Sequence, residues 1–528
     1  MWLLIYVILG YLLLCLTLSW VFPKMGISSS KAWIPGINIK EWAIAVGHSK
    51  NHWLWVFFPL VNLFILAGLS VDLVRSFGKM KFWHSALAVI YPPAIFGMIG
   101  KNPEDRWIEP AYTHESKFME QLHAARKAKD NKQIEKLNKN SRYSKSIGRE
   151  WTESIVFAVF AASLLRMFLL EAFIIPTPSM EGTLKVGDFL LVSKVHYGIR
   201  TPMTVAMWPL LHNTVPKVGT ESYFSKPSLP YYRLPKITEV KRFDPFVFNW
   251  PVGDSVYLND DRSWTAHQVN TQGRANTETL GSELRVRPLD KKDHYIKRCV
   301  GIPNDIIEIK DRQLYVNGAI ASNPKHLEYG YFFKGRTPLE YSLAKYMDKI
   351  GVNLKYMNYQ ADAGVWICFL DEEQLNSLKS FRPQLEFIPY KTSPASTAGF
   401  VFPYDNSSWS FDNYGPVWIP KKDTTININL QNLSLYSRII TVYENNKLEV
   451  KDSSIYINGV VASSYTFKQD YYWAMGDNRH NSEDSRAWGF VPADHIVGKP
   501  ILIWMSLKNA SLRDGINFNR IFSSPNKF

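Results

Sequence analysis

The chain has 528 residues, 46% of them hydrophobic and 14% aromatic, which suffices for several packed units and argues against a disordered chain. Its net charge of +14 attracts anionic surfaces, yet no zinc-finger spacing or aromatic-basic RNA motif accompanies it, so no nucleic-acid partner is indicated. Three cysteines, Cys15, Cys299 and Cys368, lie too far apart for the fold to depend on a disulfide framework.

Residues 1–22 carry no charge and are long enough to cross a bilayer. They lack the basic start and short apolar stretch of a cleaved leader. Residues 53–74 form a second candidate span, and 82–100 a third, interrupted by Pro92-Pro93. The fourth, from about 153 to 170, carries Arg166 near its far end, placed there by snorkelling to the interface. With the first residue outward and four spans, two loops are cytoplasmic. Loop 23–52 holds four Lys or Arg and loop 101–152 holds twelve, against three (Arg75, Lys79, Lys81) in the outer hairpin. That bias orients the chain and puts everything beyond residue 170 outside the cytoplasm. The stretch 114–149 mixes Glu, Lys, Gln and Ala and reads as a solvated helix with a linker.

From Ile175 onward, short β-branched and aromatic runs alternate with Gly, Pro, Asn and Asp, as at 189–192, 246–248, 306–309 and 501–504. That pattern predicts an all-β domain. The run Leu314-Tyr315-Val316-Asn317-Gly318 is echoed by Ile455-Tyr456-Ile457-Asn458-Gly459, each predicting a strand that enters a tight Asn-Gly hairpin turn. No motif explains 324–448, which reads as an insertion. The expected division is therefore a membrane region with about three spans (1–100), a basic cytoplasmic helix and linker (101–152) and a last transmembrane helix (153–175). Beyond these lie a catalytic β-domain in two parts (176–323 and 449–528) and the insertion between them.

Three segments carry chemistry. In the first, Ser179 stands between Pro178 and Met180 among apolar neighbours, where the last span ends. A serine hydroxyl is a poor nucleophile until a base takes its proton. The second, Tyr295 to Asp305, supplies a candidate: Lys297 alternates with Tyr295 and Cys299 on one face of a strand-like run. Burial there would disfavour the ammonium form and make Lys297 a neutral base. The third, Met475 to Pro492, is dense in small hydrogen-bonding residues and charges. It suits either the orientation of a catalytic lysine or a calcium-type loop.

Together the three segments resemble bacterial type I signal peptidases. Ser179-Met180, Thr183-Leu184 and Gly187-Asp188 match the nucleophile box. Lys297-Arg298, Gly301, Pro303 and Asp305 match the lysine box. Gly476-Asp477-Asn478-Arg479, Asn481-Ser482, Asp484-Ser485-Arg486 and Trp488-Gly489 match the last box. The resemblance covers about 176–320 and 450–505, and Arg166 and Glu171 match the family's residues at the outer end of the span.

The resemblance implies a multi-span helical membrane region plus an all-β extracytoplasmic catalytic domain of the signal peptidase type, here with a large insertion. It implies Ser179 as acylating nucleophile and Lys297 as general base, with Thr177 joining the Ser179 amide in an oxyanion hole. Ser482 would hydrogen-bond Lys297, and Asp484 and Arg486 would brace the site as an ion pair. Ile175, Pro176, Leu184, Tyr295 and Ile296 would line shallow pockets for small side chains. No metal and no cofactor is implied. The implied partners are preproteins with signal peptides, a nearby secretion translocon and the lipid bilayer, and the implied location is the inner membrane. The chain departs from the family pattern at Pro178, where a glycine is common, at Gly182, where a proline is usual, and at Asn304, in place of a common glycine. Asn tolerates a left-handed turn, so little change is expected at Asn304.

Two other readings keep part of this picture. A self-cleaving Ser–Lys protease related to repressor-cleaving enzymes would lack the four spans and the long third box. A catalytically silent scaffold would not need an intact Ser179 and Lys297.

Overall fold

The computed structural model describes residues 2–58, 61–258, 263–271, 284–406 and 408–527. They divide into two compact units, residues 1–164 and 165–528.

In the first unit, two stretches are long and apolar enough to cross a membrane, Ile8–Met25 and Ile147–Phe168, the latter continuing just past the unit. The second candidate differs from expectation, and the third is broken where Pro92-Pro93 interrupt it, as a bent span or a re-entrant segment would be. Residues 53–74 do not form one helix: a 3₁₀ turn, His52–Phe57, precedes an α-helix of 16 residues, Val61–Ser76, and residues 59 and 60 lie outside the described residues. Sixteen residues rise about 24 Å, short of a hydrocarbon core of roughly 30 Å. Helices Phe82–Ile90 and Pro92–Lys101 bend by 119° at the prolines, because Pro92 cannot donate and pushes Tyr91 out of helical geometry.

The expected outer hairpin is also drawn back onto the 101–152 segment. Arg75 pairs with Glu115 at 2.7 Å, Lys79 with Asp105 at 2.7 Å, and the Ile108 amide donates to the Ser76 carbonyl. Lys24 Nζ reaches the Ile99 carbonyl at 2.8 Å. Arg75 and Lys79, assigned to the outer hairpin, thus pair with carboxylates of the segment assigned to the cytoplasm. Leu18, Phe22, Trp42, Leu73, Phe96 and Ile99 form the core beneath them.

The second unit is built on a seven-stranded antiparallel sheet. Its order is Leu170–Ile174, Asp188–Ser193, Ile496–Ser506, Pro245–Asn249, His294–Gly301, Tyr471–Met475 and Val491–Pro492. The lysine strand is interior: Lys297 lies opposite Phe246 on one side, and Arg298 opposite Met475 on the other. A second sheet, Ala319–Ile320, Gln313–Val316, Ile306–Lys310 and Tyr414–Trp418, packs on a core holding Ile307, Val417, Ile440, Ile455, Phe467 and Trp473.

Both Asn-Gly hairpins form. Asn317 and Gly318 have φ of 52° and 78°, and Asn458 and Gly459 have 53° and 83°, so both turn residues sit at positive φ, as type I′ requires. The echo extends beyond its pentapeptide. Residues 308–322 and 449–463 agree at eight of fifteen positions, and each folds as two successive antiparallel pairings, Ile306–Lys310 with Gln313–Val316 and Ala319–Ile320, and Leu448–Lys451 with Ser454–Ile457 and Val460–Val461.

The segment 324–448 has two parts. Strands Asn358–Gln360, Val365–Leu370, Tyr329–Lys334 and Ile388–Pro389 make a separate sheet with helices Tyr341–Lys349 and Glu372–Phe381. Phe333, Leu343, Met347, Cys368 and Leu378 give this module its own core. The later part joins the catalytic unit instead: Tyr414–Trp418 pairs with Ile306–Lys310, and Val401, Phe402, Tyr436 and Ile440 enter the main core. All three cysteines are buried and free.

Candidate active site

The chain leaves strand Leu170–Ile174, turns through a single 3₁₀ turn at Pro178–Met180, and returns along Asp188–Ser193. Pro178 starts that turn with its φ pre-set. Ser179 and Met180 are buried there, and the Glu181 amide closes the turn onto the Pro178 carbonyl. Lys297 reaches the turn from its interior strand. Its Nζ lies 2.6 Å from Ser179 Oγ, with 3% of the lysine exposed. Burial pushes the lysine pKa down to about 8, against an opposing pull from Asp484, Glu483 and Asp477. The Tyr295 ring, 5.4 Å from Nζ, closes one flank. A nucleophile and an amine depressed towards neutrality thus share one buried contact.

Two buried ion pairs hold the loop above this contact. Arg486 makes a bidentate pair with Asp484 at 2.9 and 2.8 Å; its Nη2 also donates to the Arg479 carbonyl, and its remaining nitrogen, Nη1, donates to the Phe411 carbonyl. Arg298 makes a second with Asp477 at 2.7 and 2.6 Å. The spacing within the third box exposed the first pair, but the second joins two boxes across neighbouring strands and gave no local signal. Both arginines are thereby balanced by carboxylates, so they are not what lowers the Lys297 pKa. The loop meets the nucleophile directly, since the Asn478 amide donates to the Ser179 carbonyl at 3.2 Å.

Gly476 makes that approach possible. A Cβ there would lie 2.2 Å from Ser482 Oγ and 2.4 Å from the Ser179 carbonyl oxygen. Gly476→Ala should therefore move the nucleophile turn and lower kcat/KM about 100-fold or more, since a 1 Å misplacement costs that much. Steady-state kinetics on a purified variant with an unchanged far-UV spectrum checks it; near-normal turnover would show that the turn yields freely.

The remaining expected residues are placed unevenly. Thr177 is exposed on the lip of the site, next to the Ser179 turn. Ser482 is beside the dyad but does not bond Lys297. Its buried hydroxyl turns instead to the Asp484 carboxylate, where it helps to hold that group below the usual carboxylate range. Ile175, Pro176, Tyr295 and Ile296 line a cleft of about 640 Å³ that ends on Ser179 and Lys297. Leu184 does not line it; it is fully buried behind Met180 and Val247, which do. Trp250, Asn481 and Glu483 also line the cleft; the last two belong to the third segment, and no motif announced Trp250. Arg166 does more than snorkel: its Nε meets the buried Glu171 carboxylate at 2.7 Å, and Lys194 meets the same carboxylate at 2.8 Å.

The departures have local causes. Gly182 has φ of +91°, and any Cβ would lie 2.0 Å from the His326 carbonyl oxygen. Proline, held near −65°, cannot adopt that conformation, so glycine here accompanies the close passage of the chain at His326. Asn304 sits at φ +77°, the left-handed turn expected of it.

The geometry agrees with comparison to known proteins. The Signal peptidase I of Haemophilus influenzae is 26% identical over 377 residues, covering 71% of this chain and 75% of that protein. That of Pseudomonas aeruginosa is 24% identical over 400 residues, covering 74% and 81%. The Signal peptidase I of Aquifex aeolicus is 52% identical over 48 residues, covering 9% and 19%. Residues 30–110 match a family of unknown function. Residues 148–350 and 419–505, more than half the chain, match the family described as signal peptidase, peptidase S26, and they bracket both members of the buried Ser179–Lys297 contact; the chain belongs to that family.

Proposed function

We infer that the chain is a type I signal peptidase, a serine endopeptidase that removes N-terminal signal peptides from secreted preproteins. The observation that carries the reading is the 2.6 Å contact between Ser179 Oγ and a Lys297 amine whose burial lowers its pKa to about 8. Neutral Lys297 takes the Ser179 proton as Oγ attacks the scissile carbonyl. The Thr177 hydroxyl and the Ser179 amide receive the developing oxyanion. Lys297 then gives its proton to the leaving amine, which frees the mature protein and leaves an ester on Ser179. Water, activated by the same lysine, hydrolyses that ester. Ile175, Pro176, Tyr295 and Ile296 form shallow apolar walls that admit small side chains before the cleaved bond. Incubating the detergent-solubilised protein with a labelled preprotein tests the reading; a preprotein left intact by wild-type protein overturns it.

The topology is best read with two crossings, Ile8–Met25 and Ile147–Phe168, and with 53–74 and 82–100 as segments that enter and leave on one side. The ion pairs of Arg75 and Lys79 with Glu115 and Asp105 support this. So does the charge: the nineteen Lys and Arg of 23–152 then share one side, the cytoplasm. The catalytic unit remains extracytoplasmic, at the inner membrane, where preproteins leave a translocon in the same bilayer.

The inserted module is read more narrowly than 324–448, as about 331–389. The family match omits 351–418, and the module's ends adjoin, the Tyr390 amide donating to the Gly330 carbonyl at 2.9 Å. Replacing 331–389 with a short Gly-Ser linker should leave peptide cleavage within about threefold of wild type, because this core is separate and a short closure costs little. Activity and thermal melting check it, and an unfolded product would make the module part of the catalytic core.

A further inference from the structure

A second cavity, of about 330 Å³, lies beyond the loop that carries Ser482. Its walls are aromatic: Trp264, Phe400, Tyr404, Phe411 and Trp488. Phe400 and Tyr404 are 43% and 37% exposed, while Trp488 is 3% exposed. One donor on its lining, Trp488 Nε1, is buried with no hydrogen-bond partner among the described residues. Leaving a buried donor unmade is costly, so it suits a ligand that brings an acceptor, as a peptide backbone does.

The cavity adjoins the catalytic cleft across the loop 481–483. Asn481 and Glu483 line both, and no residue of the apolar walls 173–180 and 293–297 lines the second. The junction is close to the chemistry, because Ser482 Oγ and the Ser179 carbonyl oxygen both lie within 2.4 Å of where a Gly476 Cβ would stand. A peptide acylating Ser179 with its N-terminal half in the apolar cleft must carry its C-terminal half past Ser482. The walls of that exit come from 264–268 and 400–411, the latter inside the stretch 351–418 that the family match omits.

We propose that this cavity is a substrate subsite for the leaving-group side, binding an apolar or aromatic side chain within the first three residues of the mature protein. The Trp488 donor would hold a backbone carbonyl of the same segment. The proposal rests on the proteolytic reading above and adds a second specificity determinant after the cleaved bond. It takes large side chains, whereas the cleft before the bond takes small ones.

The test uses detergent-solubilised full-length protein and peptides with Ala at the positions the apolar cleft takes. Each carries Phe or Gly at one of the first three positions after the scissile bond. Wild type should favour Phe at one of these positions by about tenfold in kcat/KM. Phe400→Ala should bring that ratio close to one, and Tyr404→Ala serves as the second variant. Equal cleavage of all peptides by wild type overturns the subsite alone, whether or not a variant folds. A preference that survives in both folded variants also overturns it. No cleavage of any peptide overturns the proteolytic reading, and the subsite with it.

Discussion

Ser179→Ala and Lys297→Ala each lose on the order of 10⁴-fold or more in kcat/KM, and the double variant loses little beyond either. The non-additivity follows from the single 2.6 Å contact that joins the two groups. Without the amine, the serine hydroxyl keeps its proton at neutral pH; without the hydroxyl, the amine has nothing to activate. The residual rate reports what the cleft and the oxyanion donors supply alone. Lys297→His does not rescue activity, because the shorter side chain does not reach Ser179 from the interior of its strand. Preprotein cleavage by purified variants, with expression and membrane insertion verified, measures all of this. A single variant retaining a tenth of wild-type turnover would remove the dyad.

How much of this was legible in the sequence differs by element. Ser179 and Lys297 were, because each sits in a short segment whose neighbours serve the same chemistry. The Asn-Gly hairpins were legible for a local reason too, since positive φ at two successive residues selects those residue types. Arg298–Asp477 was not, because the partners lie 179 residues apart and meet only through strand pairing. Trp250 lines the cleft by tertiary position, with no pattern of its own, whereas Asn481 and Glu483 lie in the third segment. The expected bond from Ser482 to Lys297 does not form, since the hydroxyl turns to Asp484. In the membrane unit, hydropathy marked four apolar runs; two of them contain single helices long and apolar enough to cross, and a third is a helix pair bent at its prolines. The boundary within 324–448 was obscured because 401–443 has the same Asn-, Tyr- and Pro-rich texture as the module before it yet packs in the main core.

Activity rises with pH through one ionisation near 8, the pKa that burial gives Lys297. Only the neutral amine can take the Ser179 proton. At pH 6 roughly one lysine in a hundred is neutral and at pH 8 about half, so kcat/KM should climb about 50-fold between them and level off above pH 9. The same shift acts on stability with a defined sign. In the unfolded chain the lysine titrates near 10.5, its ordinary value. Below pH 8 both states hold the proton, and the folded state bears the full cost of a buried ammonium, about 3 kcal/mol for that shift. Between 8 and 10.5 only the unfolded state keeps the proton, so the cost falls as pH rises, and above 10.5 it is gone. Lys297→Met, which fills the same space without a charge, should therefore be inactive yet melt at a higher temperature than wild type at pH 7. The difference should shrink steadily from pH 8 towards 10.5. It is reduced throughout by about 1 kcal/mol for the lost contact to Ser179. The pH dependence of kcat/KM on a peptide with Ala at the cleft positions, beside melting curves of both proteins in detergent, supplies the measurements. A rate that falls from pH 6 to pH 9 in folded protein, or a methionine variant no more stable than wild type at pH 7, would mean that Lys297 is not the buried base.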